Sequence, residues 1–190
     1  MDSQRALPVA VLEEAHRTLV ANIDGLSIDE ALEAAGGYRS ILGILKHVAG
    51  WNAVYASFAF DPEPRHWNQI DWPRGLRDRI ESTSEYLEEL VGWFETVYRR
   101  WIVALNTVDL DTARPLHWGD TAPLPKIVTL VAAHWVYHAG EINAILAIRR
   151  GEAWEHMEEV EENHISTVGH RVRPPWMNDD EWTRFVREHP

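Results

Sequence analysis

A chain of 190 residues and 21.9 kDa has room for one ordinary domain and not for two joined by a linker. Its 18 basic and 30 acidic side chains leave a net charge of −12. That is the wrong sign for gripping a phosphate backbone or an anionic membrane surface, so neither nucleic acid nor membrane is expected as a partner. With 45% hydrophobic and 25% charged residues, the composition is that of a globular protein and excludes disorder along the whole chain.

Cysteine is absent, which removes a disulfide framework, a thiol nucleophile and any Cys-based zinc site, whereas histidine and tryptophan each occur ten times. Metal or acid–base chemistry must therefore rest on imidazoles and carboxylates. The N-terminal stretch carries Glu13, Glu14, His16 and Arg17 and has no signal-peptide core, so a cytoplasmic location is expected.

Apolar residues recur at helical spacing in four long blocks. A first helix is expected from Pro8, a favoured first-turn residue, through Leu12, Leu19 and Ile23 to Gly25. A short acidic helical piece follows from Ser27 to Ala35, ending at Gly36-Gly37. Ser40 then caps a second long helix with Ile41, Ile44, Leu45, Val48, Trp51, Tyr55 and Phe58 on its inner stripe. A loop from Asp61 to Gly75 carries three prolines, Trp67 and Trp72. The third long helix spans roughly Ser84 to Asn106, with Leu87, Leu90, Val91, Phe94, Val97, Tyr98, Trp101 and Leu105 inward. A second loop, Asp109 to Pro125, holds His117-Trp118. The fourth long helix runs from Lys126 to Arg150 and stops at Gly151.

No strand pattern competes, so the fold class is all-α: a four-helix bundle with long connecting loops and a C-terminal extension. The bundle is assigned to residues 1–151. Residues 152–190, with six Glu between Glu152 and Glu162, are expected to pack on it as an extension with a solvated acidic face.

A helical wheel at about 100° per residue, with Ile127 at zero, places His134 at about 340°, His138 at about 20° and Glu141 at about 320°. Ile142, Ile145, Ile148 and Tyr137 occupy the same arc. Three ionisable groups on an apolar face need partners, because an unmatched buried polar group costs about 1–3 kcal/mol. His134-x-x-x-His138 sets two imidazoles one turn apart, as a helix offers two nitrogens to one metal. On the second helix His47 turns toward the core stripe and Lys46 does not. A third imidazole would complete a three-nitrogen set with an open position, the pattern of catalytic metal sites. The competing reading is a set of core histidines satisfied by hydrogen bonds.

The other histidines are weighed in the same way. His16 is a spare ligand or a satisfied core residue. His66 and His117, in loops, are placed to line an entrance, and His156, His164, His170 and His189 read as surface groups. A di-iron carboxylate site has the required Glu13-x-x-His16 and Glu161-x-x-His164 spacings, but it lacks inward Glu residues on the second and third helices. Trp51 and Trp135, near His47 and His134, are candidates to wall a pocket. Trp93 and Trp101 are read as core. The small residues Ala132, Ala133, Val136, Ala139, Gly140, Asn143, Ala144 and Ala147 mark a face expected to be covered by the tail or by a second subunit in a homodimer.

Ser40-Ile-Leu-Gly-Ile-Leu-Lys-His47-Val-Ala-Gly-Trp51 and His134-Trp-Val-Tyr-His138-Ala-Gly-Glu141-Ile resemble the two motifs of the DinB/YfiT-like superfamily, over roughly residues 8 to 151. The resemblance implies a four-helix bundle in which His47, His134 and His138 hold a divalent metal. Glu141 stands where the family often has Gln or Glu. The position after the second fourth-helix histidine, often basic in the family, is Ala139 here. Similar proteins include S-transferases that use low-molecular-weight bacterial thiols, and metal-dependent hydrolases.

The expected function is therefore that of a divalent-metal-dependent enzyme acting on a small molecule, first a transferase using a low-molecular-weight bacterial thiol. The alternatives are a metal-dependent hydrolase and a non-catalytic metal-binding bundle. Zinc or nickel, with iron as a further option, suits a nitrogen site. Glu141 is expected as the catalytic group, a general base with raised pKa if buried and unpaired, or a residue that orients a ligand.

Overall fold

The computed structural model describes residues 3–34, 39–73, 75–78 and 83–150. The C-terminal extension, Gly151 and the Gly36-Gly37 pair lie outside these residues. The described elements are α1 (Ser3–Ala21), α2 (Ile28–Leu32), α3 (Ile41–Phe60), α4 (Ser84–Leu105), β1 (Ala113–Pro115), β2 (Thr121–Pro123) and α5 (Leu124–Arg150).

The helix starts follow from side chains that accept the first orphan N–H groups. Ser27 and Glu30 form a reciprocal capping box on α2. The Ser40 hydroxyl accepts from the Gly43 N–H at 3.1 Å, and that of Thr83 from the Tyr86 N–H at 3.2 Å.

α1 begins five residues before the expected start and carries Pro8 inside it. Its N-terminal turns are anchored from elsewhere, because the Arg5 guanidinium donates to the carbonyls of Leu105 and Val108, both at 2.7 Å. That tie, to carbonyls at the end of α4 and in the turn that follows it, offsets the bond that proline cannot make. The helix ends at Ala21, and the turn that follows reaches Gly25 at φ +68°.

The four long helices close a ring. α1 lies against α5 and α4, and α3 lies against α4 and α5, with α2 resting on α3. Their facing stripes form one core that includes Leu12, Leu19, Ile44, Val48, Leu90, Trp101, Ile127, Val131, Trp135 and Ile142. Each large apolar side chain so buried stabilises the fold by about 1.5–3 kcal/mol. One buried polar residue crosses this core: the Asn52 amide accepts from the Trp101 indole N–H at 2.9 Å and donates to the Phe94 carbonyl at 3.4 Å.

Two expectations are corrected. The 109–125 connection contains a short antiparallel hairpin, with Arg114 opposite Ala122; three-residue strands with proline at their ends leave no alternation to read in the sequence. On α5, Tyr137 and Ile148 are exposed, while Trp135, Ala139, Val128 and Leu146 are buried. The buried arc is thus turned by about 70° from the one the wheel selected, because α1 packs along α5 and covers its small-residue side. Part of the small face is consequently inside the bundle, at Ala132 and Ala139, while Ala133 and Val136 remain exposed.

The turned arc has a consequence for function. His134 and His138 sit at its edge, where α5 faces α3, and not at its centre. His138 is buried, whereas His134 and His47 are half-buried, so the imidazoles meet where the core opens outward.

Candidate metal centre

His47 lies in the second turn of α3, and His134 and His138 lie one turn apart in the middle of α5. Packing of α3 on α5 brings three Nε2 atoms together. His134 Nε2 is 3.2 Å from His47 Nε2 and 3.1 Å from His138 Nε2. One ligand atom from each of the three residues falls within a 4.8 Å cluster.

The orientation of His138 is set by Glu141, whose carboxylate accepts a hydrogen bond from His138 Nδ1. A carboxylate can only accept, so Nδ1 carries the proton and Nε2 presents its lone pair to the cluster. His134 Nε2 is within bonding range of both neighbours, yet a neutral imidazole nitrogen holds either one proton or one lone pair. It cannot satisfy both contacts by hydrogen bonding.

A cation receiving three lone pairs would satisfy all of them. A tetrahedral ion with N ligands at 2.0–2.1 Å requires nitrogens about 3.3 Å apart, close to the two separations from His134 Nε2, and all three ligand atoms lie within 4.8 Å of one another. The donor set therefore fits a divalent metal.

The electrostatics favour the same state. Burial is the largest cause of the lowered pKa at each ring. It brings His47 down to about 4, helped by His138 and Arg39 and opposed by Glu141. It brings His134 down to about 3, helped by His138, His47 and Arg39. His138 is also lowered, with the Glu141 hydrogen bond acting in the opposite direction. All three rings are neutral at neutral pH, the form that ligates.

No curated protein matches the chain. The family model for mycothiol-S-transferase matches residues 7–150. The chain belongs to the mycothiol-S-transferase family. Among solved structures, YfiT from Bacillus subtilis, described as a probable metal-dependent hydrolase with an unusual four-helix bundle topology, is similar at a TM-score of 0.56 and 16% identity, over 80% of this chain and 90% of that one. At that identity the likeness shows the fold alone, and it is the family match that bears out the resemblance to the DinB/YfiT-like superfamily. Family and three-histidine site together support a metal-dependent enzyme.

The remaining candidates separate in the structure of this family member. His16 is not near the cluster; it bonds the Glu95 carboxylate at 2.5 Å and stacks on Tyr98 with ring centroids 3.7 Å apart. It is a satisfied core histidine, and its partner Glu95 lies off the apolar stripe of α4, which is why the wheel did not show it. Glu13-x-x-His16 is thereby removed from a di-iron site, while Glu161-x-x-His164 lies outside the described residues, as do His156, His170 and His189.

Glu141 is paired, so the premise of an unpaired carboxylate does not hold. Trp51 stands beside the centre, 6.3 Å from His47 between ring centroids, and Trp67 from the 61–75 loop is 6.4 Å from His47. Trp135 instead fills the core against Phe94 at 5.0 Å. The wheel angle separates the two: Trp135 lies about 100° around α5 from His134. Among the described residues no helix is long and apolar enough to cross a membrane.

Proposed function

We propose that the protein is a divalent-metal-dependent S-transferase that joins a low-molecular-weight thiol, mycothiol in the first instance, to a small electrophile. The observation that carries the reading is the convergence of three neutral imidazoles, with His134 Nε2 3.2 Å from His47 Nε2 and 3.1 Å from His138 Nε2, in a chain of this family. Held by three uncharged ligands, a divalent ion keeps its 2+ charge and acidifies a bound thiol or water toward neutrality.

The residues of the chain supply the rest. His47, His134 and His138 fix the donor geometry, and Glu141 holds His138 in the ligating tautomer. Arg39 lies close enough to lower the proton affinity of all three rings and brings the positive charge that Ala139 does not, a counter-charge for an anionic thiol. Trp51 and Trp67 form an apolar wall that excludes water. In the reaction the S–H proton passes to solvent water, a sulfur electron pair forms the C–S bond, and the bond from carbon to the leaving group breaks with its electron pair going to the leaving group. The same donor set would serve hydrolysis, and the test below separates the two.

Full-length protein purified without added metal should hold about one zinc or nickel per chain, and His134→Ala should lose it. The loaded protein should convert mycothiol and 1-chloro-2,4-dinitrobenzene to the thioether with release of chloride. Absence of any divalent metal sinks the enzyme reading, and ester or amide hydrolysis without thiol assigns the protein to the hydrolases instead.

A further inference from the structure

The hairpin brings to this end of the bundle an imidazole that the metal centre does not use. β1 packs on α3 and β2 on α5, so the hairpin spans the two helices that carry the ligands. Its turn is tightly built. Leu116 is buried, the Leu116 N–H donates to the Asp120 carbonyl at 2.7 Å, and the Gly119 N–H donates to the Leu116 carbonyl at 2.9 Å. The Trp118 indole N–H closes it on the Asp120 carboxylate at 2.7 Å, and Gly119 takes a φ of +101° that only glycine adopts without strain.

His117 is thereby held over α3. Its ring centroid is 4.6 Å from Trp51 and 5.3 Å from Tyr55. Trp51 in turn neighbours His47, and Tyr55 is 6.0 Å from His134. Two aromatic rings therefore connect His117 with the metal centre on one face of α3.

The Nδ1 of His117 is closed off from solvent and has no hydrogen-bond partner. A buried imidazole nitrogen left unmatched is costly in a fold, and this one holds neither the hairpin nor the metal ligands in place. Burial first, and then the neighbouring His66, keep the ring below the usual imidazole pKa, so at neutral pH it offers one N–H and one lone pair. Aromatic faces with an unsatisfied imidazole nitrogen among them select a flat molecule with a polar handle.

We propose that His117, with Trp51 beside it, seats the electrophile: a flat, conjugated molecule whose oxygen substituent hydrogen-bonds the imidazole while its face stacks on the indole. This assignment rests on the transferase reading for its chemistry but not for its binding test.

The test is equilibrium dialysis of the full chain against 1,3-dinitrobenzene, which presents nitro oxygens and has no leaving group to lose. Wild-type protein should bind it saturably. His117→Ala should weaken binding about tenfold, the scale of one hydrogen bond, with metal content unchanged, and His117→Gln, whose amide still donates, should recover most of it. In turnover, His117→Ala should raise KM for 1-chloro-2,4-dinitrobenzene and leave KM for the thiol unchanged. Equal binding by wild type and His117→Ala, or no saturable binding at all, overturns the proposal, as does an equal rise in both KM values. Dinitrobenzene binding that depends on His117 in a protein without thiol turnover would keep this site and dismiss the transferase; turnover with unaltered dinitrobenzene binding in His117→Ala would do the reverse.

Discussion

The carboxylate of Glu141 decides which nitrogen of His138 is free, and a substitution can separate this positioning role from proton abstraction. Glu141→Ala removes the acceptor of the Nδ1 proton, so the ring can take the other tautomer or rotate. Metal affinity should fall by about 10- to 100-fold, read by competition with a chromophoric chelator. Glu141→Gln keeps an oxygen acceptor and should stay near wild type in affinity. If Glu141→Gln instead retained its metal and lost turnover, the carboxylate would be a base and not a positioning group. At this scale the sequence was most informative: His47, His134 and His138 were legible because a four-residue spacing and an inward His beside an outward Lys each have a geometric meaning. The partners of those residues were less legible. The i, i+3 link between His138 and Glu141 is local, but His117 reaches Trp51 only through a turn whose register no periodicity encodes.

Among the elements, α3 shows how one missing side chain positions a loop. A Cβ at Gly50 would lie 2.3 and 2.4 Å from ring atoms of Trp67 and 2.7 Å from Trp72, so the 61–75 loop packs its two indoles directly on the helix backbone, one turn beyond His47. The Trp72 indole N–H donates to the Trp67 carbonyl at 3.2 Å, and Trp72 leans on Trp93 at 4.6 Å. Both contacts make the pair stiff, and the alanine methyl has nowhere to go. Gly50→Ala should cost about 1–3 kcal/mol, a drop in Tm of roughly 2–12 °C for a chain of this size. Gly92→Ala on α4 is the control: its Cβ would meet nothing within 4 Å, so it should be neutral or stabilise by up to about 1 kcal/mol. Equal Tm shifts in the two variants would sink the account. The long helices themselves were readable from apolar spacing and, for α3, from the cap at Ser40. The start of α1 was not, because the Arg5 anchor on Leu105 and Val108 joins positions about a hundred residues apart, and the facing of α5 was misjudged because one amphipathic helix between two neighbours has more than one apolar arc to offer.

Across the whole molecule, the three-histidine cluster joins α3 and α5, and its protonation should set how the protein responds to acid. An unfolded imidazole takes a proton near pH 6.5, whereas in the folded, metal-free protein His47 does so near 4 and His134 near 3. Between pH 6.5 and those values the unfolded chain binds more protons than the folded one, so stability is full above 6.5 and falls as the pH drops through the window. In the loaded protein, protons compete with the ion for the same three nitrogens, and the stability that metal binding adds to the folded state fades over the same range. Thermal melts at pH 7.5, 6.5, 5.5 and 4.5, with zinc and with chelator, should therefore show two curves that are well apart at pH 7.5 and converge by acid. Carboxylates elsewhere titrate in both curves and cancel in their difference. His134→Leu, which replaces a half-buried titrating ring by an apolar side chain of similar size, should erase the zinc increment and flatten the acid loss of the metal-free curve. A zinc increment that persists undiminished at pH 4.5, or a metal-free His134→Leu curve as steep as wild type, would place the binding site or the acid-sensitive groups somewhere other than these three histidines.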